Sequence, residues 1–467
     1  MLKNLLWDYL GKFSAVLMQI ITSFVLMRIL NVSEFGLIGI TLAINGMASS
    51  FANFGFASYI IQQKEEDSEL QSTIFWFNLF IGSFLAAILI IFSSLIANFY
   101  KLPELKYTII VCSLFIPISF VNSVPNAILG KRLQFKQINI RNIIIAIGCA
   151  VVGIEAALLG YGVWALVLQQ GLNLVINLIV SFKLIKWLPL FEFSKSKFRG
   201  AFNFGKYIFL ATLIESIYSK LDVFTIGKIY SLNNVGFYTR AQGLSGNVVQ
   251  LSSKSLLNVL FPVLTRVKDD KKELIRNYYL YFNHICFAFC IISTFCFLFA
   301  EPAFMTFFKP KWSYAAVLFK IIVLSSVVLP LSELMLAIIE ARGNSKNYFI
   351  ADVWKKVLLY PTYIVLFFLN IEAYLYVTFF GLLGALVINL YFLNKEIDVG
   401  YLSSIKIFLA YFLPTLATAF LLDKLILTEN TWVFAAIKFL FSILVLSLTL
   451  RFFPSPTYKL ILKKIRK

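Results

Sequence analysis

Residues 9–40 read YLGKFSAVLMQIITSFVLMRILNVSEFGLIGI. Two apolar runs in this stretch flank a short polar break at Asn31 and Ser33. A helix of roughly 20 apolar residues crosses about 30 Å of hydrocarbon, so the pattern predicts two transmembrane helices that turn at the break. Long apolar runs and short polar breaks alternate in the same way along the rest of the chain. The stretch therefore decides the class of fold.

The composition places the whole chain in a bilayer. Of 467 residues, 60% are hydrophobic and 14% are charged, and the mean hydropathy is +0.83. A soluble core could not hide that much apolar side chain. We count about fourteen spans and predict an all-α integral membrane protein. The first span has no small-residue cleavage site after a short apolar core, so we expect it to stay in the mature protein.

Lysine and arginine gather in alternate breaks between the spans. The basic breaks lie at residues 131–141, 183–199, 266–276, 342–356 and 459–467, whereas the breaks at 160–162, 370–372 and 428–430 carry almost no cations. The positive-inside rule places the basic breaks and both termini in the cytoplasm. This topology explains the net charge of +19, so we expect no nucleic-acid partner.

Cysteine and histidine usage gives little support to a metal site. The five cysteines all fall in apolar runs without a C-x-x-C pair, and His284 is the only histidine. Small buried thiols in apolar surroundings usually serve as packing residues. We therefore expect no metal site and no cofactor.

The opening stretch has an echo in the second half of the chain. Residues 203–240 read NFGKYIFLATLIESIYSKLDVFTIGKIYSLNNVGFYTR, with Gly-Lys near the start and a polar turn leading to a glycine. A second echo pairs Pro117 and Gly130 with Pro330 and Gly343. Copies in the same orientation imply two six-helix lobes related by an axis along the membrane normal. We predict an N-lobe at 1–190, a C-lobe at 191–400, and two C-terminal helices with a basic tail at 401–467.

Polar side chains form stripes in the first two spans of each half. Arg240, Asn247 and Lys254 are seven positions apart, and such positions nearly superimpose on a helix. We expect the stripes to line a water-filled cavity between the lobes. The predicted substrate pathway comprises Lys12, Gln19, Asn45, Lys206, Lys220, Arg240, Asn247, Gln250 and Lys254.

The charges in these stripes indicate what the cavity accepts. A charge at the bilayer centre costs at least about 2.5 to 3.5 kcal/mol, so it should face water, a partner or a substrate. For single residues near an interface, snorkelling or pairing with a neighbour is the alternative. The excess of cations favours an anionic solute such as a phosphate or an acidic sugar. Candidates for ion coupling are Glu215, Asp222 and Glu333.

Several blocks of the sequence resemble those of a known family. The blocks MRILNVSEFGLIGI, FANFGFASYIIQQKE, ILGKRLQFKQI, GYGVWALV and LDVFTIGKIYSLNNVGFYTRAQGL are similar to bacterial polysaccharide flippases of the Wzx kind. The WzxC-like branch is the most similar one, and these proteins belong to the multidrug/oligosaccharidyl-lipid/polysaccharide exporter superfamily. The resemblance covers roughly residues 1–400. The family motif is intact at Asp222, Gly227, Gly236, Tyr238, Arg240 and Ala241.

The resemblance implies a fold and a function. The fold would be a V of two six-helix lobes with extra C-terminal helices, and the first spans of each lobe would line a cationic cavity. The function would be to move oligosaccharide repeat units on an undecaprenyl pyrophosphate carrier across the bacterial cytoplasmic (inner) membrane by alternating access. Implied partners are this lipid-linked oligosaccharide, membrane lipid, a polysaccharide polymerase and a chain-length regulator.

Two other functions compete with this interpretation. A drug/cation antiporter of the same superfamily would have an acidic cavity, which the cationic stripes oppose. A membrane polysaccharide polymerase or ligase usually needs a sizeable external loop, but the longest outward break, residues 301–313, holds one carboxylate. No G-x-S-x-G, P-loop or H-E-x-x-H motif occurs in the sequence, so we expect a protein that is not an enzyme.

Overall fold

Every regular element in the part of the chain that the structure describes is a helix. The computed structural model describes residues 2–52, 54–63, 65–249, 260, 264–423 and 431–452. In these ranges nine helical stretches are long and apolar enough to cross a membrane. The all-α prediction is confirmed, and the chain is a multi-pass membrane protein. The count of about fourteen spans and the orientation of the termini stay predictions.

The helices of the first half follow the apolar runs of the sequence. In chain order they are α1 (Leu2–Ile29), α2 (Val32–Ser49), α3 (Phe56–Gln62), α4 (Ser68–Tyr100), α5 (Pro103–Ser113), α6 (Ile116–Lys131), α7 (Phe135–Leu158), α8 (Val163–Ile185), α9 (Lys195–Tyr218) and α10 (Leu221–Ile229).

The helices of the second half show the same alternation of long elements and short turns. They are α11 (Leu232–Val249), α12 (Lys271–Ala303), α13 (Ser313–Leu324), α14 (Val328–Ala341), α15 (Ser345–Leu359), α16 (Val365–Phe368), α17 (Ile371–Ile397), α18 (Tyr401–Asp423) and α19 (Thr431–Phe452).

Two long helices begin in the same way in the two halves. Asp67 accepts hydrogen bonds from the backbone N–H groups of Glu69 and Leu70, both 3.1 Å long, and so caps α4. Asp270 caps α12 through the N–H groups two and three positions later, at 2.9 and 3.1 Å. Both helices are 33 residues long. An aspartate at this position satisfies donors that the helix leaves unpaired, so the local chemistry of the two starts is equivalent.

The prolines of the second echo also occupy equivalent places. Pro117 lies in the first turn of α6, and Pro330 lies in the first turn of α14. Each helix follows an interruption of the preceding one, α5 or α13. A proline is favoured in the first turn of a helix, where its missing N–H group is not needed, so both helices begin where these prolines fit best. These matched interruptions support the internal repeat.

Contacts within the chain divide it into two compact units, Met1–Thr239 and Arg240–Lys467. The predicted division at residues 190 and 400 concerns the sequence repeat rather than contact density, and it stays a prediction. In the second unit α12 packs against α13, α18 and α19. Tyr278 on α12 is fully buried, and its hydroxyl donates to Ser404 Oγ on α18 at 2.9 Å.

In the first unit, α9 packs against the chain between α2 and α3. The rings of Phe54 and Phe209 stack with centroids 4.0 Å apart. Behind them, Phe56 and Phe198 belong to a larger apolar cluster that also includes α4 and α6. The start of the second sequence repeat is therefore built into the core of the first unit.

Basic and non-basic breaks lie at different ends of the first unit. Arg132 and Glu66 form two hydrogen bonds of 2.7 Å, and Lys197 Nζ lies 2.6 Å from Asp67 Oδ2, which joins the basic breaks beyond the end of α3. At the start of α2, a Cβ on Gly162 would lie 2.5 Å from a Glu34 carboxylate oxygen. The separation is the one that alternating membrane crossings predict.

Candidate functional site

The polar face of α2 borders a cavity inside the first unit. The cavity has a volume of about 190 Å³ and lies between α2, the junction of α5 and α6, and α8. Its polar lining is formed by Asn45, Ser49, Ser119 and Gln170. These amide and hydroxyl groups can each both donate and accept hydrogen bonds. These four groups could bind hydroxyl groups of a solute, while Leu42, Phe115 and Leu174 give the cavity an apolar wall as well.

Asn45 is the most telling residue of this lining. Its side chain is 9% exposed, and within the described part of the chain its Oδ1 is buried without a hydrogen-bond partner. Buried polar atoms are nearly always hydrogen-bonded, because an unmet one costs about 1 to 3 kcal/mol. Because Asn45 lies in the cavity wall, an acceptor without a partner at this position is suited to a donor from a bound molecule.

Lys220 brings a positive charge to the same region. Its Cε would lie 3.5 Å from a Cβ placed on Gly46, and Gly46 also lines the cavity. The half-buried lysine therefore lies against α2 at Gly46, the residue next to Asn45 in the sequence. The structure brings together two of the predicted pathway residues, Asn45 and Lys220, although they are far apart in the sequence.

One predicted stripe is wrong in its geometry. Lys206 and Lys220 are fourteen positions apart, a spacing that predicts a shared face on a continuous helix. In the structure, however, α9 ends at Tyr218 and α10 begins at Leu221. Lys220 is the residue before the first turn of α10. A helical face cannot be extended across such a break, because the 100° advance per residue is lost there. Lys206 is half-buried on α9, with interactions of its own.

The other pathway residues are placed less closely. Gln19 is exposed on α1, and the side chain of Lys12 lies outside the described residues. Arg240 and Asn247 are half-buried on α11 in the second unit. Gln250 and Lys254 lie outside the described part of the chain.

The three ion-coupling candidates differ in their surroundings. Asp222 is buried; it accepts a hydrogen bond from the Tyr238 hydroxyl at 2.5 Å and another from the Val223 N–H at 2.7 Å. Its place in the first turn of α10 also favours a negative charge. Glu215 is exposed on α9, and Glu333 is half-buried on α14 in the second unit. Their role in coupling stays a prediction.

A reciprocal backbone contact joins the two sequence repeats above the cavity. A Cβ on Gly36 would lie 2.0 Å from the Leu232 carbonyl oxygen, and a Cβ on Gly236 would lie 2.2 Å from the Val32 carbonyl oxygen. Val32 and Leu232, like Gly36 and Gly236, are 200 positions apart. Each repeat therefore contributes one glycine and also the carbonyl that packs against the glycine of the other repeat. A local two-fold axis produces such a reciprocal contact. Only glycine fits at either position.

Sequence reasoning missed a buried arginine in this unit. Arg141 was expected in a cytoplasmic break, but it lies inside α7 and is 6% exposed. Its guanidinium donates to Ser181 Oγ at 2.6 Å, to Asn126 Oδ1 at 3.0 Å and to Asn142 Oδ1 at 2.9 Å. These partners are all neutral. The signal available in the sequence is the four-residue spacing of asparagines at 122 and 126 and at 173 and 177.

Within the described residues, no group of three His, Cys, Asp or Glu side chains could hold a metal ion. Cys112 lines the 190 Å³ cavity but is buried and free. The expected absence of a metal site and of a cofactor stays a prediction.

Comparison with known proteins gives matches in sequence and in fold. The model of a family described as "Polysaccharide biosynthesis protein" matches residues 25–317. The succinoglycan biosynthesis transport protein ExoT of Rhizobium meliloti (strain 1021) is 24% identical over 70% of this chain and 66% of its own length. The lipopolysaccharide biosynthesis protein WzxC of Escherichia coli (strain K12) is 23% identical over 58% of this chain and 56% of its own length. The chain thus spans less than two thirds of either relative.

Among solved structures, the lipid II flippase MurJ in an inward closed conformation has a similar fold. The TM-score is 0.73 at 16% sequence identity, and the alignment covers 97% of this chain and 99% of that one. The likeness concerns the fold alone. The matches agree with the resemblance that the sequence blocks predict.

Proposed function

Because the chain belongs to the polysaccharide biosynthesis protein family, we propose that it is a flippase for lipid-linked oligosaccharides. Its substrate would be an oligosaccharide repeat unit on undecaprenyl pyrophosphate, moved from the inner to the outer leaflet for surface polysaccharide synthesis. The observation that carries the proposal is the polar cavity beside α2, with Asn45 in its wall and Lys220 next to it.

The cavity addresses the main physical obstacle to sugar transfer. Each hydroxyl that enters hydrocarbon without a hydrogen-bond partner costs several kcal/mol, so an oligosaccharide does not cross a bilayer unaided. Asn45, Ser49, Ser119 and Gln170 supply donors and acceptors within one cavity. The Oδ1 of Asn45, which lacks a partner among the described residues, would accept from a sugar hydroxyl, and the hydroxyl would exchange a hydrogen bond with water for this one at little cost.

Lys220 would serve the phosphate end of the substrate. An ammonium group attracts a diphosphate as a point charge without fixing its orientation, which suits a group that has to pass through. We propose that Lys12, Gln19, Lys206, Arg240, Asn247, Gln250 and Lys254 extend this pathway. Glu215, Asp222 and Glu333 are the proposed coupling residues.

The size of the cavity implies that transport requires movement. A volume of about 190 Å³ holds about six water molecules at about 30 Å³ each, less than an oligosaccharide needs. We propose alternating access, in which lobes formed by residues 1–190 and 191–400 rock about the pathway and residues 401–467 add two helices. The break between α9 and α10 gives the chain a place to bend.

The cavity lining argues against the antiporter alternative. None of the described residues that line it is a carboxylate, whereas a cation substrate would call for one. The relatives ExoT and WzxC are named for transport and for lipopolysaccharide biosynthesis, respectively. We propose that the chain acts without catalysis in the bacterial cytoplasmic membrane, beside a polysaccharide polymerase and a chain-length regulator.

The test replaces the pathway cations in cells that depend on this protein for surface polysaccharide. Lys220→Ala, Arg240→Ala and Lys254→Ala should each lower display at least about tenfold, the effect of losing about 1.4 kcal/mol of binding. Lipid-linked precursor should accumulate in the inner leaflet. The matched control is Lys346→Ala, which removes an exposed lysine outside the pathway. Normal display in all three pathway variants would overturn the proposal.

A further inference from the structure

A second, larger cavity lies on the opposite side of α2 and has hardly any polar lining. Its volume is about 480 Å³, within the usual range of about 300 to 1,000 Å³ for ligand sites. Residues of α2, α4 and α10 form its walls, and almost all of the lining is apolar. Leu95 and Phe99 in its wall remain 63% and 53% exposed, so the cavity is a groove open at the surface.

The length of this groove matches one leaflet of a bilayer. Its α4 wall runs from Leu85 to Tyr100, about 22 Å at about 1.5 Å per residue. One leaflet contributes about 15 Å of hydrocarbon and the adjoining headgroup region adds several more. The volume corresponds to about 16 groups the size of a water molecule, at about 30 Å³ each. A methylene is of similar size, so the groove accommodates one fatty acyl chain.

Two cations stand at one end of the groove. Lys228 Nζ lies 3.9 Å from the centroid of the Phe99 ring and donates to the Phe99 carbonyl oxygen. Lys101 follows Tyr100 directly and is exposed. An ammonium group has three donors, and the Lys228 carbonyl contact uses one of them. The others are available to an anion at the mouth of the groove.

The backbone at Lys101 allows this cation to be removed without harm to the fold. Lys101 ends α4 with a φ of 56°, a left-handed conformation that usually falls to glycine. A lysine there accepts a conformational cost that glycine would avoid. Lys186 ends α8 in the same conformation, so the conformation alone does not mark an anion site and instead supplies a matched control.

We propose that this groove binds one acyl chain of an anionic phospholipid from the surrounding bilayer, with its phosphate held by Lys101 and Lys228. In the predicted orientation the site lies in the outer leaflet. The occupant is a bilayer phospholipid, because the groove is too small for the long isoprenoid chain of the proposed substrate. Tyr100 closes the groove near its cationic end, with its hydroxyl 3.5 Å from the Phe224 carbonyl oxygen.

The first test of this site measures lipid retention, which does not depend on transport. Purified full-length protein is titrated with phosphatidylglycerol or with phosphatidylcholine, and bound lipid is counted by native mass spectrometry. The wild type should retain phosphatidylglycerol in preference. Lys228→Gln and Lys101→Gly should each reduce that preference roughly fivefold.

Lys101→Gly separates binding from folding. Glycine suits the left-handed backbone better than lysine, so this variant should fold at least as well as the wild type. The matched control is Lys186→Gly, which changes an exposed lysine with a φ of 51° at the end of α8. It should leave lipid preference unchanged. An equal loss in both variants would overturn the headgroup assignment.

The acyl part of the site is tested by filling the groove. Leu89→Trp places a bulky ring in its wall and should remove the retained lipid. Ile91→Trp adds the same ring outside the lining at a position that is 73% exposed and should not. Unchanged retention in Leu89→Trp, or tighter binding of a polyprenyl phosphate than of phosphatidylglycerol, would overturn the proposal. Neither outcome would overturn the proposed transport function, because display of surface polysaccharide is measured separately.

Discussion

The two faces of α2 border opposite kinds of space. Asn45, Gly46 and Ser49 line the polar cavity of about 190 Å³, whereas Ile44, Met47 and Ala48 line the apolar groove of about 480 Å³. One helix therefore separates a cavity that has amide and hydroxyl groups in its wall from a groove that is almost wholly apolar. Both surfaces lie on the same helix, so the difference between them comes from side chains that are one or two positions apart in the sequence.

This contrast reflects the different requirements that water and hydrocarbon place on the surface of a helix. In water, an apolar stripe must find a partner; in hydrocarbon, a polar stripe must do so, because the lipid offers no hydrogen bonds. The polar face of α2 therefore needs hydrogen-bond partners, whereas the apolar face is stable against lipid without any partner. A groove with a cationic mouth on the apolar face is the feature that lipid solvation alone does not explain.

The largest effect is expected where α2 is held in place. Gly36→Ala would put a Cβ 2.0 Å from the Leu232 carbonyl oxygen, so the backbone must shift and both surfaces of α2 should be lost. We expect a loss of about 3 kcal/mol or more, seen as a collapse in the yield of monodisperse protein.

Gly148→Ala is the control for the loss of a helical glycine. Nothing lies within 4 Å of the added Cβ, so this variant should be neutral or more stable, by up to about 1 kcal/mol. If Gly36→Ala were tolerated as well as Gly148→Ala, the reciprocal contact between the repeats would not contribute to the stability of the fold.

The next effect separates stability from activity on the polar face. Asn45→Leu removes a buried oxygen that lacks a partner within the described residues, so thermal stability should hold or rise by about 1 kcal/mol. Surface polysaccharide should nevertheless fall about tenfold, because a hydrogen-bonding group of the pathway is gone. Both quantities are measured on the same variant, by thermal unfolding in detergent and by polysaccharide display. If Asn45→Leu kept both its thermal stability and normal polysaccharide display, Asn45 would not belong to the pathway.

The corresponding change on the other face should have a smaller effect, and on lipid retention rather than on polysaccharide display. Met47→Asn puts an amide into the apolar groove and should weaken retention of phosphatidylglycerol roughly fivefold, which is about 1 kcal/mol. Polysaccharide display should change little. Loss of display together with intact lipid retention would reverse the assignment of the two faces.

The smallest effect lies at the exposed ion pairs beyond α3. The hydrogen bond from Arg132 holds the pKa of Glu66 below its ordinary value of 4.5. A carboxylate with a lowered pKa stabilises the folded state above its ordinary pKa, and the stabilisation is lost as the pH falls through the lowered value. Both side chains are partly exposed, so Glu66→Gln should cost about 0.5 kcal/mol at pH 7.

This cost should disappear when the pH drops well below 4.5, because wild-type Glu66 is then protonated and carries no charge, like the glutamine of the variant. Glu192→Gln, at an exposed loop position, is the matched control for the loss of a carboxylate and should leave stability at pH 7 unchanged. A difference between Glu66→Gln and wild type that persists at low pH would show that geometry rather than charge holds this end together.

Much of the fold follows from the sequence because membrane helices obey a simple length rule. Apolar runs gave the positions of the helices, and the echo of residues 9–40 at 203–240 anticipated the equivalent places of Gly36 and Gly236. The family resemblance is also confirmed by the match over residues 25–317.

The rest needed tertiary structure. The break between α9 and α10 occurs at Ser219 and Lys220, where no glycine or proline announces it. Arg141 looked like a loop cation until α6 and α8 were seen to surround it with amide and hydroxyl oxygens. The apolar groove depends on which face of α4 meets α2, and helix periodicity says nothing about that in a chain surrounded by lipid.

The division of α2 into a polar and an apolar face is tested most directly by thiol accessibility. In a variant whose five native cysteines are replaced, Asn45→Cys and Ile44→Cys are each exposed in membranes to a charged, membrane-impermeant thiol reagent. The account predicts that Cys at position 45 reacts and is protected when lipid-linked oligosaccharide accumulates, while Cys at position 44 stays unlabelled. Equal labelling at both positions, or labelling only at position 44, would contradict it.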